Sequence, residues 1–275
     1  MFDEIFEMFK YGFMRNALYA GLLAAIAFGI IGTYVVVRRI VFIAGGIAHA
    51  SFGGVGLAFY LGWDPVFGPI IGASIFALSS ALGIGLLSKE TIEREETTIG
   101  IIWAVGMALG AFFMQQTPGY AFSPSSYLFG NILLLKKVDV YLLLLLILVI
   151  VVSTVLLYNK IVAAAFDEEF SMVVGVNTML IHLYFLSVVA LTVVFLIKFM
   201  GVILVLAMLT IPASLAGQFT HSMKKMMFLA TILSVIFVLT GLITSYLWNF
   251  ETGATIVLEA AAVYLSVVSL KKVLY

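Results

Sequence analysis

Long apolar runs, separated by short groups of charged, glycine and proline residues, fill this chain from end to end. Crossing a hydrocarbon core of about 30 Å takes roughly 20 residues of α-helix, so the runs are long enough to span a membrane. The pattern predicts an all-α, polytopic transmembrane helical bundle of eight or nine spanning helices, forming a single domain over residues 1–275. The predicted spans are 16–37, 41–62, 66–87, 99–115, 138–158, 179–198, 202–218, 227–247 and 254–270.

The composition supports this class and narrows the available chemistry. Hydrophobic residues make up 64% of the chain and charged residues 10%, which is typical of a protein embedded in a lipid bilayer. The lack of cysteine excludes disulfides and thiolate metal sites, so imidazole, carboxylate and water are the available metal ligands. A formal net charge of zero gives no indication of nucleic-acid binding. No permanently bound cofactor is predicted.

Basic residues occur on two alternating sets of loops, nine on one set and five on the other. Cytoplasmic loops of membrane proteins carry the excess of lysine and arginine, so the larger set is predicted to be cytoplasmic. The N-terminus then lies outside and the C-terminus inside a plasma-membrane protein. The larger set is Arg38, Arg39, Lys89, Arg94, Lys160, Lys224, Lys225, Lys271 and Lys272.

Two segments are predicted to lie at or in the membrane without crossing it. Residues 1–12 intersperse acids with apolar side chains, as an interfacial helix does. Within residues 117–137, prolines and glycines break the spanning pattern and favour a re-entrant segment. These breaking residues are Pro118, Gly119, Pro124 and Gly130.

A short amphipathic helix is predicted in the cytoplasmic connection 163–177. Acids at its start suit a helix N-terminus, apolar residues follow at helical spacing, and a glycine near its end is a stop signal. Two interpretations are open: a helix resting on the bilayer surface, or a coupling helix that inserts into a groove of a soluble partner. The coupling interpretation rests on Asp167, Glu168, Glu169, Phe170 and Gly175.

The chain has no G-x-x-x-x-G-K-[S/T] sequence, so it cannot hold nucleotide phosphates in a P-loop. Any ATP hydrolysis is therefore predicted to belong to another subunit. Three scattered histidines and no H-E-x-x-H motif give no indication of a membrane enzyme.

The second predicted span contains a histidine within the glycine-rich stretch Gly45–Gly54. Imidazole is a ligand for zinc, manganese and iron. Ionisable side chains inside membrane spans are rare and usually have a functional role. The glycines are mainly packing signals, but they also leave room for an ion. We therefore predict that His49 is a metal ligand on an ion path.

Glu259 is the only acid well inside a predicted span. An ionised carboxylate in hydrocarbon costs several kcal/mol, and two roles are open for it: a metal ligand on the path, or a structural group between helices. At about 1.5 Å per residue, Glu259 and His49 lie at different depths, unless the glycines at 45 and 46 break the helix.

Five segments carry a family resemblance through their order and spacing: Val36–Arg39, Gly45–Gly54, Tyr127–Leu133, Phe166–Gly175 and Gly201–Ala213. Together they resemble the permeases of ABC-type zinc and manganese importers. The resemblance runs nearly from end to end of the chain.

The resemblance implies a homodimer of two copies of this chain, with ATP-binding ABC subunits and an extracytoplasmic metal-binding protein as partners. It places the coupling segment on Asp167–Gly175 and the pathway histidine on His49. Four residues before that histidine the family carries an aspartate, whereas this chain has Gly45. The expected function is that of a permease passing divalent metal, zinc or manganese with iron as a further candidate, into the cytoplasm.

A different class of transporter remains as an alternative. A proton-coupled secondary metal transporter would use His49 and Glu259 as proton carriers and need no ATPase partner. Such transporters typically contain inverted repeats with interrupted helices, and this sequence has no clear internal repeat.

Overall fold

The computed structural model describes residues 7, 10–87, 92–118, 124–130, 132 and 135–274. Over these residues the secondary structure is helical, without strands. The helices are α1 Gly12–Val37, α2 Val41–Tyr60, α3 Gly68–Leu87, α4 Ile92–Gln116, α5 Pro124–Phe129, α6 Lys137–Phe166, α7 Glu168–Val173, α8 Thr178–Gly217, α9 Met223–Trp248 and α10 Thr252–Leu274.

Eight of the described helices are long and apolar enough to cross a membrane: α1, α2, α3, α4, α6, α8, α9 and α10. The prediction of an all-α, polytopic bundle is therefore confirmed. The predicted interfacial helix over residues 1–12 lies largely outside the described residues. So does much of the segment 117–137, where the structure describes the six-residue helix α5; its re-entrant character stays a prediction.

The predicted sixth and seventh spans form one helical segment, α8, of 40 residues. At about 1.5 Å per residue this segment would be roughly 60 Å long, twice the hydrocarbon thickness. Its helical geometry is broken at Gly201, where φ is 74° and ψ is 163°. The break falls between the two predicted spans 179–198 and 202–218.

Two predicted boundaries differ from the structure. Helix α6 continues to Phe166 rather than ending near residue 158, because Asn159 and Lys160 do not break a helix and the alanines at 163–165 favour one. Helix α4 begins at Ile92, seven residues before the predicted start at residue 99. Charged residues ended the apolar pattern, but helical hydrogen bonding continues beyond it.

The helices group into two compact units, each assembled from separate parts of the chain. The first contains Met1–Val36, Phe129–Val152 and Phe199–Tyr275, and the second contains Val37–Leu128 and Ser153–Lys198. In the first unit, α9 packs on α10; in the second, α2 packs on α3 and α4. The single-domain assignment stays a prediction.

Candidate metal pathway

Helix α2 packs so closely against α3 and α4 that their backbones approach one another at glycine positions. A Cβ atom placed on Gly54 would collide with the carbonyl of Gly72 in α3, and one placed on Gly106 of α4 would collide with the backbone of Ala50. Only a residue without a side chain permits such an approach, so these glycines act as helix-packing residues. The close packing fixes the surroundings of the histidine that α2 carries.

His49 lies half-buried on α2. Its ring stacks on Trp103 of α4, with 4.0 Å between the ring centroids and 11° between the planes. Its Nδ1 atom is buried and has no hydrogen-bond partner in the described part of the chain. A buried nitrogen without a partner is energetically costly. The Nδ1 atom of the stacked ring is therefore a candidate to bind a ligand that the described residues do not supply.

Three oxygen atoms form a buried cluster next to His49. The Tyr127 hydroxyl of α5 lies 2.5 Å from Ser51 Oγ and donates to the carbonyl of Ala48 over 3.0 Å. Ser51 Oγ also donates to the Ala48 carbonyl over 2.7 Å. The Tyr127 ring contacts Phe52, with 4.9 Å between the centroids. The short helix α5 is thus attached to the turn of α2 that carries the histidine.

The second predicted metal ligand belongs to the other unit. Glu259 lies half-buried on α10, in the first unit, whereas His49 belongs to the second. Gly45, which stands where the resembled family carries aspartate, is buried and supplies no ligand. Among the described residues, no group of three histidine, aspartate or glutamate side chains is arranged to hold a metal ion.

The predicted coupling segment contains the short helix α7, Glu168–Val173. Asp167 and Glu169 are exposed, while the side chains of Glu168 and Phe170 lie outside the described ones. Ser171 is buried and donates its hydroxyl to the Asp167 carbonyl over 2.6 Å. The apolar side chains at the end of the helix are open to their surroundings: Met172, Val173 and Val174 are 55%, 85% and 63% exposed.

A Schellman motif ends α7 and confirms the predicted glycine stop. The N–H of Val176 donates to the Ser171 carbonyl over 2.9 Å, and the N–H of Gly175 donates to the Met172 carbonyl over 3.0 Å. Gly175 has a φ of 84°, a conformation that costs a residue with a Cβ atom more than it costs glycine. The next helix begins at once, because Asn177 Oδ1 accepts from the N–H of Leu180.

Arg38 attaches the loop after α1 to the base of this segment. Its guanidinium donates to the Ala164 carbonyl near the end of α6 over 2.9 Å. The last carbonyls of a helix have no intrahelical partner, and they carry the negative end of the helix dipole. A cation at this position stabilises the end of α6, and Ala164 lies four residues before the start of α7.

Sequence reasoning missed Trp103, Tyr127 and Ser51 as residues of the site. Trp103 lies in an apolar span, and nothing in a single sequence shows that its indole faces a histidine 54 positions earlier. Tyr127 belonged to a segment that carried the resemblance, and that segment was the available signal. The hydroxyl of Ser51 lies two residues from His49, but small polar residues are common in membrane helices.

Comparison with known proteins assigns the chain to a family. The model of the ABC 3 transport family matches residues 10–271, so this chain belongs to that family and is a membrane permease rather than an enzyme. This membership disfavours the alternative of a proton-coupled secondary transporter.

Two relatives and one solved structure match this chain over nearly its whole length. A probable metal transport system membrane protein of Chlamydia pneumoniae is 36% identical over 92% of this chain and 87% of its own. The manganese transport system membrane protein MntC of Listeria innocua is 28% identical over 94% and 90%. The structure of PsaBC from Streptococcus pneumoniae in complex with Fab superimposes with a TM-score of 0.83, at 29% identity over 96% and 93%.

Proposed function

We propose that this chain is the permease of an ATP-driven importer of divalent metal ions, zinc or manganese, and that His49 binds the ion in transit. The observation that carries this proposal is the buried, unpartnered Nδ1 atom of His49 in a spanning helix. Family membership supports the transport class, and the names of the Chlamydia and Listeria relatives support the metal cargo.

The geometry of His49 fits transfer better than retention. One imidazole, aided by water, binds a divalent ion weakly. The Nδ1 atom is closed off from solvent in the described conformation, so an ion reaches it only after neighbouring helices move. Such gating is the requirement for alternating access, in which the path opens to one side of the membrane at a time.

The energy would come from ATP-binding subunits docked on the coupling segment Asp167–Gly175. Exposed acids at its start and exposed apolar side chains at its end give α7 a mixed surface suited to a groove in a soluble partner. The resemblance implies two further partners: a second copy of the chain, and an extracytoplasmic metal-binding protein. The N-terminus would lie outside and the C-terminus in the cytoplasm, as the basic residues predict.

Glu259 is the candidate for a second station on the path. It lies half-buried in a helix long and apolar enough to span, where an ionised carboxylate is costly and is therefore a candidate for a functional role. It belongs to a different unit from His49.

The test is metal-dependent ATPase activity of the complex reconstituted in lipid with its ATP-binding subunit and metal-binding protein. Zinc, manganese and iron are supplied in turn through the binding protein. We expect ATP hydrolysis to rise with at least one metal and labelled metal to accumulate inside proteoliposomes. Metal accumulation that proceeds at full rate without ATP, driven by a proton gradient, would contradict the proposal.

A further inference from the structure

We propose that Tyr127 is a positioning residue of the metal path, which fixes the peptide unit of His49 through a hydroxyl cluster shared with Ser51. This inference rests on the proposed role of His49. Tyr127 would help to hold the proposed metal ligand His49 in place, and it lies on the short helix α5 rather than on a spanning helix.

The cluster acts on the backbone at His49 itself. Both hydroxyls lie within hydrogen-bond distance of the Ala48 carbonyl. That carbonyl belongs to the same planar peptide unit as the N–H of His49, so fixing its oxygen restricts the orientation of the histidine backbone. The distances of 2.7 and 3.0 Å to Ala48, and of 2.5 Å between Ser51 and Tyr127, form a closed triangle.

Burial gives the triangle its rigidity. Ser51 and Ala48 are fully buried, and Tyr127 is 6% exposed. The two hydroxyls have two hydrogen atoms for three oxygen contacts, so two of the three contacts are hydrogen bonds at any one time. Because the cluster is buried, a hydroxyl that lost both of its partners would be left unsatisfied at a cost. In a low-dielectric interior such a network has strong orientational preference.

Two elements therefore restrain His49 from different directions. Trp103 of α4 stacks on the imidazole and restrains the ring, whereas Tyr127 of α5 restrains the backbone. The Tyr127 ring also borders a cavity of about 210 Å³, together with Val55 and Phe59 of α2. Such a space next to Tyr127 would give its side chain room to move if the cluster broke during transport.

The experiment uses Trp103 as a reporter next to the ligand. Trp63→Phe and Trp248→Phe leave it as the single tryptophan of the chain. In the reconstituted complex, Mn²⁺ or Zn²⁺ is titrated while Trp103 fluorescence and the rate of metal uptake are recorded. Tyr127→Phe keeps the ring and removes the hydroxyl.

We expect Tyr127→Phe to raise the half-saturating metal concentration roughly tenfold, as loss of a residue that orients a metal ligand does. Maximal uptake and the melting temperature should stay near those of the parent. Tyr60→Phe is the matched control: its ring pairs with Phe113 in the same unit, its side chain is exposed, and both readouts should be unchanged.

Unchanged half-saturation in Tyr127→Phe would overturn the inference, provided that His49→Ala abolishes the metal response. If His49→Ala leaves the response intact, the proposed function fails and the inference fails with it. If Tyr127→Phe lowers the melting temperature, the Ser51→Ala variant is used in its place. Ser51→Ala removes the other hydroxyl of the same cluster, which belongs to α2. A metal affinity equal to the parent in a folded Ser51→Ala protein would also overturn the inference.

Discussion

If His49 is the metal ligand proposed above, its contact with Trp103 holds the ring in place before an ion arrives. The stack with Trp103 orients the imidazole, and a ring that becomes cationic on binding a metal is also attracted to the face of an indole. An aspartate at the position of Gly45 would strengthen metal binding by His49, so the proposed site is weaker without it. A weak site still suits a transporter, which has to release its cargo.

The first prediction concerns His49 alone. His49→Ala should reduce metal uptake at least tenfold, because the ring supplies the ligand nitrogen. The cost in stability should be about 1 kcal/mol, the value of a lost aromatic contact. Uptake and thermal melting of the purified complex measure the two effects. His221→Ala, a change in an exposed loop residue, should alter neither. Wild-type uptake in His49→Ala would exclude the residue from the path.

The second prediction separates the two roles of Glu259. Glu259→Gln preserves shape and hydrogen-bonding capacity but removes the charge, so uptake should fall sharply while the melting temperature stays the same. Glu259→Leu should lower uptake as well. The opposite pattern, normal uptake in the glutamine variant and a destabilised leucine variant, would identify a structural glutamate and remove it from the path.

At the scale of single elements, α7 is a six-residue helix that depends on its surroundings. An isolated helix of this length is not stable in water, so its start and its end have to be fixed by other groups. Ser171 and the Schellman motif fix the helix itself, and the Arg38 side chain fixes the end of α6 before it. Only Asp167 separates α6 from α7, so a partner docked on α7 would lie one residue from the end of α6.

The third prediction tests α7 as the coupling element. Glu169→Arg with Gly175→Leu should reduce metal uptake and separate it from ATP hydrolysis. The pair inverts an exposed charge and adds a side chain where φ is 84°, a change that costs about 1–2 kcal/mol. Glu96→Arg, which inverts an exposed charge at the start of α4, is the control. Normal subunit binding with normal uptake in the double variant would reject the assignment.

The fourth prediction concerns the attachment of α6. Arg38→Ala removes a charged hydrogen bond to the Ala164 carbonyl, which is typically worth about 1.5–3 kcal/mol. We expect a lower melting temperature, and fewer metal ions transported per ATP hydrolysed. Arg38→Lys keeps the charge and should recover part of both. Equal transport stoichiometry in Arg38→Ala and the parent would show that the contact only stabilises the fold.

At the scale of the whole molecule, the spanning helices and the end of α7 were predictable because each rests on local pattern. Apolar length gives the spans, and Gly175 gives the helix stop. The surroundings of His49 were not predictable, because Trp103 and Tyr127 lie 54 and 78 positions further along the chain. Contacts over such separations depend on which helix faces come together, and the nearly uniform apolarity of these helices gives no face a distinctive pattern.

The last prediction concerns Gly201, where the helical geometry of α8 is broken. With φ at 74° and ψ at 163°, it has a conformation essentially confined to glycine. The backbone is also crowded there, because a Cβ on Gly130 would collide with Gly201 N. Gly201→Ala should therefore destabilise the protein by about 1–3 kcal/mol, measured by thermal melting in detergent.

Gly100→Ala is the matched control for this change, since the site in α4 is helical and open, with nothing within 4 Å of an added Cβ. It should be neutral or stabilising by up to about 1 kcal/mol, because alanine favours helix over glycine. If Gly201→Ala melts at the same temperature as Gly100→Ala, the 40-residue segment tolerates an ordinary residue at its break. The break would then have to be held by packing around it rather than by the conformational freedom of one glycine.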